Sequence, residues 1–406
     1  MGERSWSPAS PTARPWQRKC GPLFAPTAAT GCSRQSNRSS HVKEISLRSE
    51  ATMQPPPPPH QNTQLLGHED AESLVLDAVG RGRLHHAWLI SGMAGIGKAT
   101  LAWRMARYLL AQSQPPAEAG LGLLAEEPPP LAKPASLFVA AEHPDARMIA
   151  ARSHPNLRFI ERHDDQKTGK VKASIGVEQI RDLQGFFQTK AGESAHRIVI
   201  IDAVDDLTAQ AQNSLLKMLE EPPSGAFLIL VSHIPGRLLP TIRSRCRHLP
   251  MHPLPEAVMQ RLLLQAEVPE ETIKTALILG EGSFGRALEM ISGGAEVYYT
   301  QILEQLTAPT STGRRAIADQ LAAAGGATEL PLWGEVLDWL LTRLARQMVR
   351  PNRLDAPEFA AAQSLSRRLG LESVLEAAEE CRKLLAEALE LNLDRRQIVL
   401  EVFAKL

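Results

Sequence analysis

The stretch SGMAGIGKATLAW, residues 91–103, decides the fold. Gly92, four spacer residues, Gly97 and Lys98 form a phosphate-loop pattern: amides around Gly95 and Gly97 can wrap a phosphate, and the lysine can reach its β and γ oxygens. In a working loop the next position is a serine or threonine whose hydroxyl sits on magnesium, and here it is Ala99. Thr100 lies one residue too far along to replace it. Two readings stand side by side: a cradle that holds ATP or ADP without turnover, and a vestigial loop that only packs.

The surroundings supply the context such a loop requires. HAWLIS (86–91) has the length and apolarity of a buried strand, and TLAWRMARYLLAQ (100–112) places Leu101, Met105, Tyr108 and Leu109 on one helical face. Upstream, HEDAESLVLDAVGRG reads as an amphipathic helix with Leu74, Val75 and Ala78 at helical spacing. Downstream, NLRFIE (156–161) is a strand, and GVEQIRDLQGFFQ (176–188) is a helix carrying Val177, Ile180, Leu183 and Phe187 along one side. RIVIID (197–202) is an all-apolar run ending in aspartate, as in a central parallel strand. The helix that follows is capped by Thr208, buried through Leu215 and Leu219, and stopped by Pro222 and Pro223. FLILVS (227–232) adds another strand. Strands alternating with helices predict an α/β fold with a parallel sheet covered on both faces. Past residue 251 the strands cease; LWGEVLDWLLTRLARQM aligns Trp333, Val336, Leu337, Leu340 and Leu344 on one face. The expected organisation is an α/β core over 61–250, a small helical domain over 251–295 and an all-α domain over 296–406.

Composition narrows the function. Lysine plus arginine equals aspartate plus glutamate, 45 each in 406 residues, so no basic footprint argues for DNA binding by the chain alone. No apolar run has the length of a membrane span, so no membrane role is expected. Cys20, Cys32, Cys246 and Cys381 are scattered without a CxxC pair, and the twelve histidines are dispersed, so neither a disulfide framework nor a zinc site is expected and a reducing cytoplasm fits best. Residues 1–60 are rich in Ser, Pro and Arg and run into QPPPPPH (54–60); they are expected to be disordered. A transit peptide shares that bias. The preferred expectation is that Met53 is the initiator and the preceding residues come from an over-extended reading frame. The Pro- and Gly-rich stretch at 118–136 is expected to be a surface insertion.

Two further motifs bear on chemistry. Asp202 can hold magnesium through water, but Ala203 stands where a hydrolytic site has a glutamate to polarise the attacking water. Asp205 and Asp206, in the following turn, are expected to cap the helix near Thr208. In LLPTIRSRCRHLP (238–250), Arg243, Arg245 and Arg247 alternate, which by itself describes a solvated edge.

Taken in order, GIGKAT, IIDAVDDLTAQAQNSLLKMLEEPP, LLPTIRSRC and GSFGRAL resemble the bacterial clamp-loader subunits of the AAA+ class, most of all the delta-prime kind of the DNA polymerase III holoenzyme. The resemblance covers Leu65 to Leu406 and is strongest from Gly176 to Leu249. It implies an AAA+ P-loop core, a helical lid and a C-terminal collar, the last ending in LNLDRRQIVLEVF (391–403). It implies that Ser244, Arg245 and Cys246 present the arginine as a finger to ATP in a neighbouring subunit. It also implies a degenerate nucleotide site of Gly92, Gly95, Gly97, Lys98 and Asp202, with Arg286 as a second sensor on the lid. The implied partners are gamma/tau and delta subunits in a hetero-oligomeric ring and, through that ring, the sliding clamp and primer-template DNA. Many such proteins carry a four-cysteine zinc module after the loop helix; this chain is Pro-rich there, with no cysteine between Cys32 and Cys246, and no zinc is expected. An active ATPase subunit of the gamma/tau type would want a hydroxyl at 99 and an acid at 203. A pure scaffold or DNA-binding module would leave Arg245 unexplained.

Overall fold

Five short segments form one parallel sheet: β1 Ala87–Ser91, β2 Leu157–Ile160, β3 Arg197–Asp202, β4 Ala226–Ser232 and β5 Arg247–Pro250, in the order β2-β3-β4-β1-β5. The computed structural model describes residues 53–112, 136–162, 172, 174–188, 196–323, 329–349 and 356–406. Every residue of β1 and β4 is buried, because helices cover both faces and leave no polar side to alternate with. Trp88, Ile90, Ile198, Ile200 and Ile229 face one apolar layer, while Leu89, Val199, Ile201, Leu228 and Leu230 face the other. The register pairs Ser91 with Ser232 and Pro250, and Asp202 with Val231, so the carboxyl ends of β1, β3, β4 and β5 lie together. That edge, where the strand order reverses, is where α/β sheets bind ligands.

Helices α1 Glu69–Gly80, α2 Lys98–Gln112, α3 Pro144–Ala150, α4 Val177–Gln188, α5 Ala209–Glu220 and the single turn α6 Pro240–Arg243 complete this half. In α1, Ala71 and Val75 are buried but Leu74 is exposed, so the apolar stripe is narrower than the spacing suggested. Helix α2 is buried almost all round, not on one face only. The cause is α1 together with the segment before it. Arg107 donates to His60 O (3.0 Å), Arg104 pairs with Glu72 (2.6 Å) and donates to Thr63 O, and the His60 ring lies 5.7 Å from that of Trp103.

Residues 54–60, assigned from composition to a disordered stretch, are thereby corrected. Gln54 N donates to Ala266 O (2.9 Å), its amide donates to Glu267 (3.0 Å), and Pro58 and His60 are buried. A proline run is already extended, so ordering it costs little entropy and a few contacts hold it. Residues 1–52, and the expected insertion apart from Ser136, lie outside the described residues.

The C-terminal half is helical: α7 Glu256–Gln265, α8 Glu270–Gly280, α9 Phe284–Ser292, α10 Ala295–Thr307, α11 Ser311–Ala323, α12 Glu329–Val349, α13 Ala356–Arg368, α14 Gly370–Leu391 and α15 Arg395–Lys405. Its buried apolar residues, from Leu254 to Leu406, form one continuous cluster with no gap between α9 and α10. Among the described residues no helix is long and apolar enough to cross a membrane.

Candidate functional site

The loop between β1 and α2 turns on its glycines and is held by its carbonyls. Lys98 is 3% exposed, and its ammonium donates to Gly92 O (2.7 Å) and to Met93 O. Ser283 Oγ donates to Ala94 O (2.7 Å), Gly285 N to Gly95 O (2.9 Å) and the buried His68 Nε2 to Ile96 O (2.7 Å). Five consecutive carbonyls, 92 to 96, thus receive donors from this chain. Burial lowers the His68 pKa, which keeps that ring neutral with its proton on Nε2. Gly95 has φ +77°, and a Cβ there would stand 2.5 Å from Ser283 Oγ; a Cβ on Gly285 would stand 2.8 Å from Gly95 Cα. Helix α9 therefore meets the loop backbone to backbone, and two glycines make that approach possible.

Burial pushes the Lys98 ammonium down to about 8, against the pull of Asp202 and Asp205. Desolvation at the end of β3 pushes the Asp202 carboxyl up to about 6, opposed by Lys98 and reinforced by Glu161, Asp206 and Asp205. The structure brings Gly92, Gly95, Gly97, Lys98 and Asp202 to this one edge. For a phosphate to be gripped, Lys98 would have to leave both its carbonyls, and neither Ala99 nor the buried Ala203 offers a side-chain oxygen to a metal. The residues as arranged do not fit a magnesium–triphosphate.

Asp205 and Asp206 do not cap α5, contrary to expectation. Asp205 accepts from Ser232 Oγ (2.7 Å), His233 N and Ile234 N (3.2 Å), and so clasps the end of β4. Asp206 pairs with Arg162 (3.1 Å). A 3-10 turn over Val204–Asp206 places both aspartates before the cap, toward the neighbouring strands, and Thr208 caps alone through Ala211 N (3.2 Å).

The Arg286 side chain lies over an indole. Its guanidinium carbon lies 5.9 Å from the centre of the Trp339 ring on α12, which Arg343 also approaches at 5.5 Å. Arg343 in turn holds the buried Glu358 (2.9 and 3.2 Å), which accepts from Tyr299 Oη (3.1 Å). The backbone N of Arg286 would stand 3.0 Å from a Cβ on Gly95.

Beyond β4, α6 and the turn after it carry Arg245, whose side chain is 37% exposed. One terminal nitrogen donates to Thr241 O (3.0 Å), and the other pairs with Glu220 at the end of α5 (3.0 Å). Glu220 went unnoticed in the sequence, because only folding brings residues 220 and 245 together; so did His68 and Ser283, whose loop contacts are equally non-local. Burial pushes the neighbouring Cys246 thiol up to about 12, so it is no nucleophile near neutrality. Among the described residues no group of His, Cys, Asp or Glu is placed to hold a metal ion. Residues 113–135, next to the loop helix, lie outside them.

Comparison with known proteins bears on the whole arrangement. The family described as "DNA polymerase III, delta subunit" matches residues 133–255, which include Asp202 and Arg245. The chain is 31% identical over 273 residues to DNA polymerase III subunit delta' of Pseudomonas aeruginosa, covering 66% of this chain and 74% of that one. It is 32% identical over 225 residues to the subunit of the same name from Escherichia coli, covering 55% and 59% of the two. Similarity to DNA polymerase III subunit gamma/tau of Mycobacterium bovis is 26% over 253 residues, 60% of this chain and 39% of that one. Coverage is highest with the first of these three, at 31% identity over 74% of that chain, and the chain belongs to the DNA polymerase III subunit delta' family.

Proposed function

We propose that the chain is the delta-prime subunit of a replicative clamp loader, a structural and regulatory member of the ring that turns over no ATP itself. The core spans 61–250, the lid 251–295 and the collar 296–406. The collar docks against gamma/tau and delta subunits, and the assembled ring acts on the sliding clamp and primer-template DNA. In this reading the old phosphate loop has become the seat of the lid, and Arg245 is offered in trans to ATP bound by a neighbour. A guanidinium there stabilises charge that develops on the transferring phosphate.

The observation that carries the proposal is the contrast between two cations at opposite ends of the sheet. Lys98 is buried on its own loop carbonyls, whereas Arg245 is partly exposed and lightly tied. The same contrast disfavours an active subunit of the gamma/tau type, whose lysine must be free to grip phosphate. The test is ATP turnover by the purified chain alone and by the reconstituted loader with clamp and primed DNA. Turnover is expected only in the second; magnesium-dependent hydrolysis by the isolated chain would overturn the proposal.

A further inference from the structure

We infer that Glu220 is the positioning residue for Arg245, the carboxylate that sets where the guanidinium waits for a neighbour's phosphate. The inference rests on Arg245 acting in trans. Gln212, Leu216 and Glu220 stand at i, i+4 and i+8 of α5 and therefore share one face. Gln212 Oε1 accepts from Leu239 N (3.3 Å) at the start of α6. Leu216 joins the same apolar cluster as Leu239 and Cys246. Glu220 completes the stripe by pairing with Arg245 at 3.0 Å. One face of α5 thus backs the segment from Leu239 to Cys246, with a polar tie at each end.

The placement of Glu220 is not explained by the helix itself. A carboxylate in the last helical turn faces the negative end of the macrodipole, where a cation is favoured. Arg245 offsets that disadvantage. The helix is also a firm base: Thr208 caps its start, Leu215 and Leu219 are buried, and Pro222 with Pro223 end it. Two of the five N–H donors of the guanidinium are engaged, by Thr241 O and Glu220, which leaves three to address an anion. Because the pair is exposed on both sides, its bond is weak enough to yield to a phosphate oxygen. Glu220 therefore narrows the search of a long side chain without trapping it.

The experiment is clamp-stimulated ATP turnover by the reconstituted loader carrying Glu220→Gln, Glu220→Asp, Arg245→Ala, or Glu220→Gln with Arg245→Ala. Glu220→Gln is expected to lower kcat about two- to five-fold, the size of an exposed ion pair, with KM for ATP unchanged. Glu220→Asp should fall between wild type and Glu220→Gln. In the Arg245→Ala background, Glu220→Gln should add nothing, a result that a merely structural role would not give. The melting temperature of the Glu220→Gln chain should match wild type. If Glu220→Gln turns over ATP like wild type while Arg245→Ala does not, the finger stands and the positioning role falls. An additive loss in the double variant also overturns that role. Wild-type turnover by Arg245→Ala overturns finger and positioning residue together.

Discussion

Lys98 and Arg245 sit at opposite ends of the parallel sheet, one at the start of α2 just after β1 and the other in the turn before β5. Lys98 is sealed: its contacts are backbone carbonyls of its own loop, and burial has already depressed its pKa to about 8. Arg245 is tied to one carbonyl and one surface carboxylate, each of which water or an incoming anion can replace. A buried cation whose donors are spent on its own chain serves structure. A cation held at the surface by weak, exchangeable partners is equipped to serve another molecule. The lid strengthens the contrast, since Ser283 and Gly285 bond the loop through Ala94 and Gly95.

The largest effect should appear where the two cations are exchanged for neutral groups in the assembled loader. Arg245→Ala is expected to lower turnover at the site it completes by about 10³-fold or more. Lys98→Met should leave the complex near its wild-type rate. Arg245→Lys should restore only part of the loss, because a point charge cannot reproduce the planar fork. Equal losses from Lys98→Met and Arg245→Ala, read in steady-state ATPase assays, would break the comparison.

Next in size is a pH effect at the sealed site. Asp202 titrates near 6 in the folded chain and near 3.8 when unfolded. Between those values only the folded state keeps the proton, so this carboxyl makes stability fall as pH rises through the window and adds no slope above it. The difference corresponds to roughly 3 kcal/mol at most. Asp202→Asn should remove that slope, so the variant gains on wild type as pH is raised from 4 to 7, as followed by denaturant melts. Parallel pH curves for the two proteins would show that the site is wetter and more open than described.

A steric prediction sharpens the lid side of the contrast. Gly285→Ala places a methyl 2.8 Å from Gly95 Cα, backbone against backbone, so helix α9 must shift or the loop must yield. A loss of about 1–3 kcal/mol is expected in thermal or chemical unfolding. Wild-type stability would mean that lid and loop are not clasped.

Much of this was legible in the sequence, for identifiable reasons. Four of the five strands were visible, the central ones because a sheet buried on both faces needs unbroken apolar runs such as IVII and FLILV, whereas β5, RHLP, is mostly exposed and was read as a solvated edge. Lys98, Asp202 and Arg245 were marked by local motifs. What stayed hidden depended on contacts distant in sequence. Neither His68 against Ile96 nor Glu220 against Arg245 has a local signature, and Asp205 turned from α5 to β4 because a 3-10 turn intervened. The proline run deceived in the opposite direction: its composition suggested disorder, yet its stiffness made docking inexpensive.

The smallest expected effect concerns Arg286, whose motif pointed to a phosphate and whose guanidinium lies on Trp339 instead. Were it a nucleotide sensor, Arg286→Gln would act on turnover and leave stability alone. Its position over a collar indole, beside the Arg343–Glu358–Tyr299 cluster, gives the opposite expectation. A partly exposed cation–π contact contributes about 0.5–1 kcal/mol. Against this, the buried Nε of Arg286 has no hydrogen-bond partner, so losing it removes an unmet donor and offsets part of the cost. Arg286→Gln should therefore lower stability by well under 1 kcal/mol, with ATPase of the loader unchanged. Trp339→Leu, which removes the ring but keeps an apolar side chain in a buried position, should make Arg286→Gln neutral in a double-mutant cycle. A coupling near zero between the two residues, or a loss of turnover with stability intact, would move Arg286 back to the nucleotide side and leave the lid joined to the loop by Ser283 and Gly285 alone.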